Sequence, residues 1–289
     1  MDTFSQSTHI PENMSIDGLT KQIRAIEDLD RRSSPFHIIQ QYVNAIFSDY
    51  SCLTRIIESK QSWRARKNIG EGLFNHVNEL WYPKPEYVKE FGRMNQPEKP
   101  VFYISASHQT AMLEVRANPG DLVTILEMSL KTATDLPHVM EIGVAEKTSQ
   151  YNLPTSVTLL ENTPAGRAFL GSGVTKNLMI RSFLAREVTR VVDPADAHLF
   201  KVSAAIYDQL TSSDRIDGVE YPSIAGDGSA SKGGTNLALK LASADRLFKP
   251  TGCFVLRIID CVLQPTPGLL IKCVKVATGI LPDGSIKWN

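Results

Sequence analysis

Residues 92–120 read GRMNQPEKPVFYISASHQTAMLEVRANPG, and this stretch sets the fold. Gly92, Pro97 and Pro100 punctuate a turn region ahead of a short β-prone run, Val101–Ser105. Ser107 stands where a helix wants its N-cap, and Pro119-Gly120 supplies a stop. The pattern therefore predicts a helix over Ser107–Asn118. A second β-prone run, Leu122–Leu130, follows at once. A strand, a short helix and a strand in 30 residues point to a mixed architecture.

The same texture extends outward in both directions. Ser62–Arg66, His138–Ile142, Gly218–Ser223, Phe254–Leu263 and Leu270–Ala277 read as further strands. Ala195–Leu210 reads as a longer helix, and the Gly/Ser-rich segment Gly226–Gly234 as a loop. Thr235 is expected to open another helix through Leu241. Upstream of Gln61 the periodicity changes. Ile16, Leu19, Ile23, Ile26 and Leu29 recur at steps of three and four behind Ser15, a fitting cap. After the break at Ser33-Ser34-Pro35 comes a second apolar helix, Phe36–Ser48. Residues 1–14 read as a flexible leader. The expected fold class is α+β, with a helical N-terminal extension over 1–60 and the main domain over 61–289.

Composition narrows the function classes. An apolar fraction of 42% and a charged fraction of 21% suit a globular chain. With 31 basic and 31 acidic residues there is no overall field to attract nucleic acid or an anionic membrane, although a local basic pocket is compatible with the balance. The N-terminus lacks the apolar core of a signal peptide, and no run is long and apolar enough to span a bilayer. The expectation is a cytoplasmic protein. Cys52, Cys253, Cys261 and Cys273 form no CxxC pair; the last three lie in apolar stretches and are expected to be buried.

Common catalytic signatures fail. Gly171-Ser172-Gly173-Val174-Thr175-Lys176 meets neither phosphate-loop nor dinucleotide spacing, and Gly226-Asp227-Gly228 stops short of GxGxxG. Ser223 has no glycine two residues before it, so a hydrolase elbow is absent. The six histidines show no metal-ligand spacing.

Three ordered segments instead resemble the RES family, named for its arginine, glutamate and serine. The first is Trp63-Arg64-Ala65-Arg66, similar to the family's opening arginine-bearing strand. The second is Gly92-Arg93-Met94-Asn95-Gln96-Pro97 leading through Tyr103 to Thr110-Ala111-Met112-Leu113-Glu114. The third joins Asp217-Gly218-Val219-Glu220-Tyr221-Pro222-Ser223 to Gly234-Thr235-Asn236-Leu237-Ala238, which looks like the family's Tyr-Pro-Ser strand end and the start of a helix. Together they span roughly residues 61–242. Met94 departs from the pattern, because an aromatic residue is frequent there.

The resemblance implies an ADP-ribosyltransferase-like fold, a split β-sheet core with NAD in its cleft. It implies an NAD-degrading toxin that cleaves the nicotinamide–ribose bond by phosphorolysis or hydrolysis. NAD is then a substrate, and no cofactor is expected. The usual partner is a helix-turn-helix antitoxin; inorganic phosphate and a second copy of the chain are further candidates. Carried over, the catalytic set is Glu114, Arg93, Tyr103 and Ser223, with Arg64, Arg93, Tyr103, Asn95 and Asn236 for binding. Whether Arg64 or Arg66 faces the cleft stays open, since alternate strand positions share a face.

These residue types suit the reaction. Breaking the bond from ribose C1 to nicotinamide builds positive charge on C1 and the ring oxygen, which a fixed carboxylate such as Glu114 stabilises in the transition state. Arginine offers a planar, permanently charged fork for pyrophosphate. Tyr103 can stack on the nicotinamide ring, and Ser223 can orient the carboxylate. Nicotinamide leaves neutral, so no strong acid is required. Each residue has an ordinary alternative: a solvated helical glutamate, a turn arginine, a core tyrosine, a capping serine or asparagine. The rival activity is ADP-ribosyl transfer to a protein or nucleic acid, a branch that often places a polar residue where Met112 stands here.

Overall fold

A computed structural model describes residues 14–48, 50–148, 162–225, 234–262 and 268–289. The leader and the Gly226–Gly234 loop lie outside the described residues, apart from Met14, Ile224, Ala225 and Gly234 at their edges.

Ten strands form one mixed sheet. They are β1 (Thr54–Ile56), β2 (Gln61–Lys67), β3 (Phe102–Ser105), β4 (Leu122–Leu130), β5 (His138–Glu141), β6 (Gly218–Pro222), β7 (Thr235–Leu239), β8 (Phe248–Val262), β9 (Gly268–Ile280) and β10 (Ile286–Trp288). The order across the sheet is β1-β5-β6-β7-β3-β2-β4-β8-β9-β10, with β5 and β6 parallel and the other pairs antiparallel. The middle of the sheet decides where the site lies. β2 pairs with β4 along its whole length, from Gln61–Ser129 to Lys67–Val123. Against β3 it makes one register pair, Trp63 with Ser105. Beyond that pair β2 and β3 part, and the sheet opens as a fork.

The helices are α1 (Ile16–Glu27), α2 (Phe36–Phe47), α3 (His108–Glu114), α4 (Val144–Thr148), α5 (Pro164–Leu170), α6 (Val174–Val188), α7 (Lys201–Leu210) and α8 (Leu241–Leu247). Both N-terminal helices form where periodicity placed them, and Ser15 caps α1 by accepting from the Gly18 amide at 3.0 Å. Their apolar stripes, with Leu19, Ile26, Ile39, Val43 and Ile46 buried, pack with Phe183, Leu184 and Ile206 of α6 and α7. The same cluster includes Val219, Tyr221 and Ala238 of the sheet. A second core, with Phe102, Ile104, Leu126, Leu237 and Phe248, joins strands from both sides of the fork. A third, around Met112, Val123, Ile125 and Ile258, seats α3 on β4 and β8.

Four expectations need correction. Thr235–Leu239 is a strand, not the start of a helix; the helix begins later, at Leu241. Leu and Ala favour helix, but the segment lies between β6 and β3 with Asn236–Leu239 buried, and that pairing outweighs local propensity. Helix α3 stops at Glu114, because Arg116 turns into the left-handed region at φ 48° before the proline is reached. Ala195–Leu210 is two pieces: a 3-10 segment, Pro194–Phe200, irregular at Asp196, and then α7. Cys273 is exposed, whereas Cys253 is buried as expected. The carboxy-terminal strands run longer than their apolar cores suggest, and β1, α4, α5, α6 and β10 are not among the elements expected from the sequence.

Candidate functional site

Glu114 is the last residue of α3, whose N-cap Ser107 accepts from the Thr110 amide at 3.1 Å. A carboxylate at a helix C-terminus faces the negative end of the dipole, so it needs donors from elsewhere. Two reach it. Ser223 Oγ donates to Glu114 Oε1 at 2.6 Å, and Asn236 Nδ2 donates to the same oxygen at 2.7 Å. Asn236 is fixed in turn, its Oδ1 accepting from Ser105 Oγ at 2.6 Å. Ser105, Ser223 and Asn236 are all buried, so this relay is shielded and each group is satisfied. Glu114 itself is exposed, and its second oxygen meets no hydrogen-bond donor among the described residues. The carboxylate is held on one side and open on the other.

Glu114 lines a cavity of about 380 Å³ in the fork of the sheet. Arg64, Arg93, Tyr103, Glu114, Tyr221 and Asn236 contribute to its wall, with Arg116 and Phe200 also lining it. Three guanidinium groups against one carboxylate make the cavity a host for an anion, although the chain as a whole is neutral.

Of the two arginines left open on β2, Arg64 is the one on the cavity wall. Arg66 is exposed, donates to the Glu79 carbonyl and lies over the Phe74 ring. Arg64 donates from Nε to Leu80 O at 2.9 Å and from Nη1 to Tyr103 O at 2.7 Å. The second bond crosses from β2 to β3 where their ladder has ended, so the guanidinium bridges the fork. Burial lowers this group to about 10, which still leaves it charged at neutral pH.

Arg93 leaves the Gly92–Asn95 turn, where Gly92 N meets Asn95 O at 3.0 Å. A side chain at 92 would strike the Asn95 carboxamide, which explains the glycine. Arg93 Nη1 donates to the carbonyls of Val188 and Arg190, the latter at 3.1 Å, and the guanidinium lies 5.2 Å from the centre of the Phe200 ring. Burial lowers its pKa, while Tyr221 and Glu114 nearby oppose that shift.

Tyr103 is anchored through its hydroxyl, which donates to Asn95 Oδ1 at 3.0 Å and accepts from the Met94 amide at 2.9 Å. Burial pushes this phenol far above its ordinary range. Asn95 does not line the cavity; it holds the turn and Tyr103. Ser223 does not line it either and acts on Glu114 from behind.

Thus Glu114, Arg64, Arg93, Tyr103 and Asn236 share one cavity, with Ser223 and Asn95 supporting them. Tyr221, Phe200, Ser105 and Arg116 were missed. Tyr221 carried a signal, since it stands in the Tyr-Pro-Ser segment two residues before Ser223. The other three carried none.

Among the described residues no group of histidine, cysteine, aspartate or glutamate side chains could hold a metal ion, and no helix is long and apolar enough to cross a membrane. The RES domain model matches residues 62–252. No curated protein and no solved structure matches the chain.

Proposed function

The chain belongs to the RES domain family, and on that premise we propose that it degrades NAD by cleaving the nicotinamide–ribose bond. One observation carries the reading: Glu114, gripped on Oε1 by Ser223 and Asn236 and with its other oxygen unengaged among the described residues, lines a cavity that Arg64 and Arg93 also line.

The C1–N bond breaks with its electron pair going to nicotinamide, which leaves neutral. The sugar carbon becomes electron-poor, and the free oxygen of Glu114 faces it. At an effective dielectric of about 20 a charge pair some 4 Å apart interacts by about 4 kcal/mol, on the order of a thousandfold in rate. Because the carboxylate is already oriented, little reorganisation is needed as the charge appears. Arg93 pairs with pyrophosphate oxygens, with Arg64 supporting the same side. Tyr103, its hydroxyl already engaged, offers its ring face to nicotinamide. A phosphate or water oxygen then bonds to C1, giving the phosphorylated sugar or the free sugar plus a proton.

We propose with it an ADP-ribosyltransferase-like core over residues 61–289 carrying the helical extension 1–60, and a helix-turn-helix antitoxin that closes over the cavity. Transfer to a macromolecule draws no support at position 112, because Met112 is buried in the α3 core and absent from the cavity wall.

The test is to incubate the purified protein with NAD, with and without phosphate, and to follow nicotinamide and ADP-ribose species. Glu114→Gln is expected to lower kcat about a thousandfold while leaving the fold intact, and Arg93→Ala to abolish measurable turnover. Parent-like rates in both variants would sink the reading.

A further inference from the structure

Arg31 lies in the turn between α1 and α2, outside the segment that matches the family, yet it is 6% exposed. A buried arginine needs a reason. Its Nη1 and Nη2 donate to the two oxygens of Glu187 at 2.7 and 2.9 Å, a bidentate pair sealed from solvent. Nη1 also donates to Leu199 O at 3.2 Å. Arg190 completes the knot by donating to Glu187 Oε1 at 2.8 Å. Burial by itself would raise the Glu187 carboxyl, but Arg31 first and Arg190 second carry it below its ordinary value.

Each end of that knot abuts a contact of Arg93. Glu187 immediately precedes Val188, whose carbonyl accepts from Arg93, and Arg190 gives Arg93 its second carbonyl. Leu199 immediately precedes Phe200, whose ring lies against the Arg93 guanidinium. The two struts of Arg93 thus come from segments 188–190 and 199–200; Arg31 bonds Leu199 of the second directly and meets the first through Glu187, which adjoins Val188 and accepts from Arg190. Neighbouring bonds reinforce the tie: Lys201 Nζ donates to Ser34 O at 2.8 Å, and Phe36 packs on Phe91, two residues before Arg93, at 5.2 Å between ring centres.

We propose that Arg31 is a positioning residue for Arg93, and that the amino-terminal helical hairpin thereby sets the grip of the cavity on an anionic ligand. The kinetic part rests on the NAD reading above; the structural part does not. Arg31 touches neither the cavity nor a reacting atom, so it acts through the struts alone.

Two readouts separate the claims. In the parent protein the Arg93 Nε–H resonance is assigned by its loss in Arg93→Lys, with the Arg64 resonance as an internal control. In Arg31→Met the Arg93 signal is expected to shift and broaden while that of Arg64 stays in place. In the NAD assay the same variant is expected to raise KM at least fivefold with kcat within about twofold, the mark of lost uniform binding. Arg31→Lys, which keeps the charge with fewer bonds, should recover part of both and serves alone should Arg31→Met not fold. An Arg93 resonance at its parent position in a folded variant would overturn the positioning role. A moved resonance with parent-like KM would overturn the link to ligand grip. A parent that neither binds nor cleaves NAD would fail the functional reading and leave the resonance test to decide the rest.

Discussion

Arg116 sets backbone economy against chemistry. A non-glycine residue at φ 48° is about 1–2 kcal/mol worse off than in the right-handed region, and here the strained residue is an exposed cation on the cavity wall. Its φ is that of a residue following a helix C-cap, and its side chain makes no hydrogen bond or ion pair among the described residues, which leaves the guanidinium free for a ligand. Arg116→Gly is expected to raise stability to urea by about 1 kcal/mol and to raise the KM for NAD severalfold. Equilibrium unfolding and steady-state kinetics on one preparation check both signs. A glycine variant with lower stability would refute the backbone strain, and one with unchanged KM would remove Arg116 from the anion site. None of this was legible in the sequence, because a dihedral angle has no residue type of its own unless glycine marks it. Glu114, Arg93 and Tyr103 were expected through the ordered segments that resemble the RES family, since local punctuation alone reads equally as a solvated glutamate, a turn arginine and a core tyrosine.

At the level of elements, the two donors to Glu114 come from Ser223, the residue after β6, and Asn236 on β7, and the spacing of the two strands is set at Gly218. A methyl group there would strike the Ala238 carbonyl oxygen and stand 2.9 Å from Leu239 Cα, both backbone atoms that cannot swing aside. Gly218→Ala is expected to cost about 1–3 kcal/mol by overpacking. It should also lower kcat more than KM, because Ser223 and Asn236 would no longer meet on one oxygen. Thermal unfolding together with kinetics tests this, and an alanine variant with parent-like kcat would show that the pair tolerates a shift. The β6 run was readable from its residues; β7 was not. Asn-Leu-Ala-Leu satisfies a helix as readily as a strand, and only the two neighbours that flank it in the sheet decide. The pairing also changes the meaning of Asn236, which sits on a strand opposite Tyr221 rather than at a helix start.

For the whole molecule, the hydrophobic cluster around Leu19, Ile39 and Phe183 continues into Val219, Tyr221 and Ala238. The amino-terminal helices and the sheet therefore share a core, and a single cooperative calorimetric transition is expected. Two resolved transitions would show that the hairpin melts by itself. The sequence announced this hairpin through periodicity but could not say where it docks, since the partner surface on α6 and α7 is remote along the chain. One further property follows from the lone register pair between Trp63 and Ser105. The sheet is two panels meeting at a seam of one register pair, and the proposed binding space is the gap between them. A guest lodged in that gap is expected to act as a splint, adding contacts between the two panels beyond those of the seam and the shared core. Ligand should accordingly slow amide exchange in strands of both panels, including stretches it never touches.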